Sequence, residues 1–314
     1  DQLYRSATTA PYVIKDDSFY LSLGDSMMTG MGLGTGDADY MKDTWYAGYG
    51  HTVPEAYPQV LTEMLGFDYN DKDHHVTLGM GGVRAEDLRF LLDPNVEPDD
   101  YFIKRTSGEM VYFGGRGGYG DSLDAIRQTF WNAIQKADLI TISIGGNNFR
   151  TYLYAQQQYI NEYGTLAYDI DFSRFVGEEL YNEIYGAIQN YKARALAALA
   201  AANVEVDESV LEMLDKACLT AQVYLYAYLS FSTNYAETFN AIRSINPDAL
   251  LVIVGLYNTL DDLYYSANGV TIGVGALFDT LVKIVNTQFL LYAMQTPNTI
   301  FVDVPDVTMF ADRD

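Results

Sequence analysis

The stretch FYLSLGDSMMTG, Phe19 to Gly30, reads as a buried strand that halts at a turn. The run ahead of Gly24 is apolar or small and of strand length. Gly24-Asp25-Ser26 is a turn-prone tripeptide that leaves a serine where a strand is expected to give way to a helix. Four further runs share this character: HVTLGM (75–80), LITISIGG (139–146), ALLVIVGLYN (249–258) and TIFVDVPD (299–306). Between them stand segments with helical spacing, PEAYPQVLTEMLGF (54–67) and SLDAIRQTFWNAIQKA (122–137). In the second, Ile126, Phe130 and Ile134 fall four apart on one face, with Asp121 or Ser122 placed to cap the start. Strand-and-helix alternation predicts an α/β fold in three layers, a five-stranded parallel sheet with helices on both faces.

The region from Tyr152 to Ile245 has helical spacing almost throughout and exceeds what a crossover requires. It is expected to hold a helical insertion, or cap, over residues 151–225, within a single domain spanning 1–314. Residues 226–246 are expected to form the helix that covers the sheet, with Asp207 or Ser209 capping the helix that follows NVEVDES. The segment GVGALFDTLVKIVNTQFLLYAM (273–294) is expected to cover the fifth strand.

Composition narrows the function classes. The chain of 314 residues carries 42 acidic against 19 basic residues, a formal net charge of -23, so its mean field repels phosphate backbones and anionic lipid surfaces. Nucleic acid is therefore excluded as an expected partner. The single cysteine, Cys218, makes an internal disulfide impossible and is expected to pack as a small buried hydrophobe. No run approaches 18 uninterrupted apolar residues, so no membrane span is expected. The sequence begins with Asp1 rather than Met, and a leader removed ahead of it would place the protein outside the cell or in its envelope.

In open parallel sheets the ligand site lies at the carboxyl ends of the strands. Three strand ends here carry useful chemistry: Gly24-Asp25-Ser26; Gly81-Gly82-Val83-Arg84-Ala85-Glu86-Asp87-Leu88; and Gly145-Gly146-Asn147-Asn148. Acyl transfer needs a nucleophilic oxygen and donors aimed where charge grows on the carbonyl oxygen. Ser26 supplies the first. The Ser26 and Gly82 backbone N–H groups and the Asn147 side-chain amide supply three donors for an oxyanion hole.

On these blocks the sequence resembles the GDSL, or SGNH, hydrolases. LSLGDSMMTG is similar to the block that holds the family's serine, LGMGGVRAEDL to the block whose glycine is matched by Gly82 and is followed by a short helix ending in Asp-Leu, and ITISIGGNNF to the Gly-x-Asn-Asp block, matched by Asn147. The resemblance covers residues 18–31, 75–92, 120–150 and about 226–306. It implies the SGNH hydrolase fold, a flavodoxin-like five-stranded parallel sheet, and hydrolysis of carboxylic esters by a lipase or esterase with no metal or organic cofactor. Small-molecule or polysaccharide acyl esters are the implied substrates.

The sequence departs from the family at two places. Asn148 stands where the family usually has Asp. The family's Asp-x-x-His after the fifth strand, its orienting carboxylate and general base, has no match in FVDVPDVTMFADRD (301–314), so the base is expected beyond Asp314. His75 opens the second strand and His74 precedes it, about 23 Å from Gly82 at the far end of the sheet. His51, in the long loop MGLGTGDADYMKDTWYAGYGHTVPEA (31–56), is the histidine on the active-site side. A protein lacking the base by nature would instead be a catalytically silent carbohydrate- or protein-binding domain on the same fold.

Other features have plainer readings. DYNDKD (68–73) lacks the glycine and bidentate glutamate of a calcium loop and reads as a solvated turn. YFGGRGGYGDS (112–122) follows no strand and matches no phosphate-loop template. Arg84 is expected to be answered by Glu86 or Asp87 rather than by substrate. The tyrosines of DTWYAGYG (43–50) and YLYAQQQYINEY (152–163) are expected to serve core or cap packing more than a sugar groove.

Overall fold

A computed structural model describes residues 3–5, 14–30, 56–79, 82–96, 123–172, 175–258, 260 and 263–304. The five expected strands form, as β2 (Tyr20–Gly24), β3 (His75–Gly79), β4 (Leu139–Ser143), β5 (Leu250–Val254) and β8 (Thr299–Val302). They pair in parallel in the order β3-β2-β4-β5-β8, the arrangement of a flavodoxin-like sheet. A sixth strand that the sequence reading did not anticipate, β1 (Leu3–Arg5), adds to β8 in antiparallel fashion. At three residues, it is too short for a period-2 pattern to be read.

Alternation along each strand assigns the two faces. One carries Leu21, Leu23, Ile140, Ile142, Leu251, Ile253 and Phe301, all buried. Helices α6 (Glu208–Ile245) and α7 (Gly275–Gln295) cover it, with Phe239 against Phe289 and Phe289 against Phe301. On the other face Tyr20, Leu139 and Leu250 receive Leu61 and Leu65 from α1 (Tyr57–Met64) and the residue after it. The molecule is thus a three-layer α/β structure. Helices α2 (Ala85–Leu92) and α3 (Leu123–Lys136) follow β3 and precede β4. The Arg127 guanidinium donates to Phe90 O, and the Trp131 indole N–H donates to Leu92 O.

The described residues divide into two compact units, one within Asp1–Asn147, Asn234–Leu256 and Asn286–Val304, the other within Asn148–Thr233 and Tyr257–Val285. The second is built on α4 (Gly146–Tyr163), α5 (Glu178–Ala201) and the amino-terminal part of α6. Its core packs Phe149 on Phe278, and Phe278 on Tyr224. A hairpin, β6 (Tyr264–Ala267) and β7 (Val270–Gly273), lies against Val210, Met213 and Leu214 through Tyr265, Ala267, Val270 and Ile272. Its turn, Asn268-Gly269, has both residues at positive φ, 47° and 78°. The Asn268 amide also bonds Asp207, whose Oδ1 accepts the Val210 N–H and so caps α6. The Ser209 hydroxyl on that carboxylate, first, and the Val210 N–H hold the Asp207 pKa below its ordinary value.

Residues 226–246, expected as a separate covering helix, are instead the end of the 38-residue α6. No Gly or Pro interrupts 208–245, so the helix has no reason to break at 225. Cys218 lies buried on α6, and burial raises its pKa. Of the tyrosines on α4, Tyr152 is buried in the core as expected, whereas Tyr154, Tyr159 and Tyr163 are exposed.

Candidate active site

β2 ends where Gly24 crosses close to β4. A Cβ on Gly24 would lie 2.2 Å from the Ser143 carbonyl oxygen, and its φ of +148° suits glycine alone. The Asp25 N–H donates to that same carbonyl at 3.1 Å, which ties the turn to the end of β4. Asp25 is 1% exposed, and its Oδ1 accepts the Met27 N–H at 2.9 Å, closing an Asx turn around Ser26. Beyond it Thr29 N–H reaches Asp25 O and Gly30 N–H reaches Met27 O. The helix expected to start at Ser26 is therefore a run of tight turns through Gly30. The aspartate carboxylate competes for the backbone donors there, which favours a turn over a regular helical start.

Met28 anchors that run. Fully buried, it lies over the end of β3, where a Cβ on Gly79 would sit 2.3 Å from Met28 Cε and 2.7 Å from Thr29 Cγ2. Gly79 is therefore a glycine because the turn that carries Ser26 rests on it. Ser26 is itself buried, with 3% of its surface exposed.

Gly82 turns the chain out of β3 at φ +81°, a conformation that favours glycine. Two residues on, Arg84 is the largest fully buried side chain among the described residues, and it is answered as the sequence predicts. Its Nε and Nη2 meet Asp87 Oδ2 and Oδ1 at 3.0 and 2.6 Å, and Nη1 lies 3.1 Å from Glu86. Asp87 also accepts the Arg84 N–H, closing the first turn of α2, so the Asp87-Leu88 pair begins this helix rather than ending it. Thr238 on α6 donates to Ala85 O and holds the same turn from outside.

Asn147 sits in the first turn of α4, and 9% of its surface is exposed. Its side-chain amide donates to Val83 O at 3.0 Å, and this bond pins the end of β4 to the residue beside Gly82. On the other side, a Cβ on Gly146 would lie 3.6 Å from Asp25 Oδ2. The three strand ends thus meet pairwise, β2 with β4 through Asp25, Ser143 and Gly146, and β4 with β3 through Asn147 and Val83. Asp25 was the residue that sequence reasoning passed over. The turn signal was visible, but the burial of its carboxylate was not.

His75 starts β3 opposite Tyr20, while Gly79 pairs with Gly24 at the other end. It is buried under the rings of Tyr20 and Tyr69, and burial, followed by nearby Lys72, pushes its pKa down to about 4. His74 stacks on Phe67 and faces Ser18 O. Neither lies at the strand ends that carry Ser26. The residues of DYNDKD make local Asx bonds, from Asn70 N–H to Asp68 and from Asp73 N–H to Asp71, and no metal-binding cluster occurs among the described residues. Gly81, His51 with its loop, the Gly-rich loop 112–122, the cap candidates Asp121 and Ser122, and the tail 305–314 lie outside the described residues. No described helix is long and apolar enough to cross a membrane.

No protein-family model matches the chain, and no curated protein matches it. Solved structures with a similar arrangement include the lipase Lip_vut3 from a goat rumen metagenome, at 13% identity and a TM-score of 0.43, over 94% of this chain and 84% of that one. A phospholipase A1 from Streptomyces albidoflavus NA297 is similar at 12% identity and a TM-score of 0.39, over 88% and 75% of the two chains. An extracellular lipase from Streptomyces rimosus is similar at 14% identity and a TM-score of 0.39, over 93% and 82%.

Proposed function

We propose that the protein is an ester hydrolase of the GDSL, or SGNH, type that cleaves carboxylic ester bonds with Ser26 as nucleophile. In this mechanism the Ser26 oxygen attacks the acyl carbonyl, and the Gly82 N–H, the Asn147 amide and the Ser26 N–H receive the oxyanion. The observation that carries the reading is the bond from Asn147 to Val83 O, which joins the ends of β3 and β4 beside Gly82. One amide hydrogen of Asn147 makes that bond, and the second is available to a substrate oxygen.

The general base of this mechanism is a histidine, as the resemblance implies, and neither His74 nor His75 lies at the strand ends that carry Ser26. The substrate is a small-molecule or polysaccharide acyl ester, and export out of the cell belongs to the same reading. No metal or organic cofactor takes part. The test is hydrolysis of short-chain p-nitrophenyl esters by the full-length gene product and its Ser26→Ala variant. Turnover that disappears in the variant supports the proposal. Equal turnover in both, or none in either, contradicts it and favours a binding domain.

A further inference from the structure

We infer that Asp25 is a positioning residue that sets Ser26 relative to Asn147; the inference rests on the reading of Ser26 as nucleophile. Its side chain is 1% exposed and acts through the neighbours it holds. Oδ1 holds the Met27 N–H at 2.9 Å, so the carboxylate bridges across Ser26 and fixes the backbone on both sides of it. Oδ2 lies on the side of Gly146, the first residue of α4, where an added Cβ would come within 3.6 Å of it. The main-chain N–H of Asp25 meets Ser143 O just before that helix. One residue therefore grips the turn carrying the nucleophile with its carboxylate and, through its main-chain N–H, ties that turn to the strand end that leads into Asn147.

The charge matters as well as the shape. The amino terminus of α4, an 18-residue helix, carries partial positive charge and favours a carboxylate beside it. In Asp25→Asn the outline is kept, but one of the two positions must now hold an amide nitrogen. In one orientation that nitrogen meets the Met27 N–H, donor against donor, and in both the negative charge near the first residue of α4 is lost. The turn relieves this by shifting, and a displacement of about 1 Å at a reacting group costs on the order of a hundredfold in rate.

The test compares wild type and Asp25→Asn for the rate of fluorophosphonate labelling at Ser26, for kcat and KM on p-nitrophenyl acetate, and for Tm. The expected result is labelling slowed about a hundredfold and kcat lowered, with KM and the folded fraction unchanged. Wild-type labelling with an equal rate in Asp25→Asn overturns the inference while leaving the nucleophile standing. A loss of activity only in proportion to unfolded protein also overturns it, because that is a purely structural role. Absence of labelling in wild type overturns the nucleophile itself, and this inference with it. If Asp25→Asn does not fold, hydrogen exchange of the Met27 amide in wild type decides: strong protection supports the bridge, and exchange at the rate of an open loop overturns it.

Discussion

The Asn147 side-chain amide donates to the Val83 carbonyl across the ends of two strands, β4 and β3, with Gly82 next to the acceptor. The bond links two segments far apart in sequence and fixes one candidate oxyanion donor beside another. Asn147→Ala removes both the link and the donor, so kcat is expected to fall about 10²- to 10³-fold. Asn147→Asp keeps the outline but replaces the donor with an acceptor beside Val83 O, and should lose as much. Steady-state kinetics on a p-nitrophenyl ester, with Tm as control, checks this.

Gly79→Ala is expected to destabilise the fold by about 1–3 kcal/mol, because its new methyl would overlap the buried Met28 side chain. Met28→Ala should relieve the overlap, so the double variant should cost less than the sum of the single ones, a coupling that a double-mutant cycle in urea would measure. Because Met28 carries the turn of Ser26, activity should fall in Gly79→Ala more steeply than the folded fraction does.

His75 makes stability depend on pH. Its folded pKa is about 4, below the ordinary value of 6.5, so the unfolded chain takes up a proton first as pH falls. The stabilisation is fully present above pH 6.5, is lost as pH drops towards 4 and changes no further below it. Its full size is about 3 kcal/mol, from roughly 1.4 kcal/mol per pKa unit. Urea unfolding of wild type and His75→Gln at pH 7.5, 5.5 and 4 should show a smaller pH dependence in the variant, and parallel curves would refute the assignment.

The buried Arg84–Asp87 pair should be costly to break and cheap to replace. Asp87→Ala removes the bidentate partner of the buried guanidinium, leaving Glu86 on Nη1, and is expected to destabilise by about 3 kcal/mol. Arg84→Met with Asp87→Leu should recover most of that loss, which chemical denaturation would show. Because the guanidinium is buried against Asp87 and Glu86, KM of the double variant is expected to stay near wild type.

The fold was legible because five short apolar runs, each closed by turn residues, carry the period and length of buried strands. Glycines 24 and 82 marked the turns, and Glu86 and Asp87 were readable as partners of Arg84 because they follow it at a helix start. The hairpin at 264–273 escaped notice although Asn268-Gly269 is a strong turn signal. Its strands are four residues each and sit beside a long helical block that dominates the local pattern. The exposure of Tyr154, Tyr159 and Tyr163 was equally hidden, since tyrosine suits a half-buried or a wet surface alike. The link between Asn147 and Val83 spans 64 positions, a pairing that only the register of the parallel sheet creates.

The most direct test of a shared pocket at the three strand ends is a crystal structure of the full-length gene product inactivated by a fluorophosphonate. Ser26 Oγ should carry the phosphorus, with the phosphoryl oxygen about 2.7–3.1 Å from the Gly82 N, the Asn147 Nδ2 and the Ser26 N. Phosphonylation of a different residue, or a phosphoryl oxygen on Ser26 turned away from both Gly82 and Asn147, would contradict it.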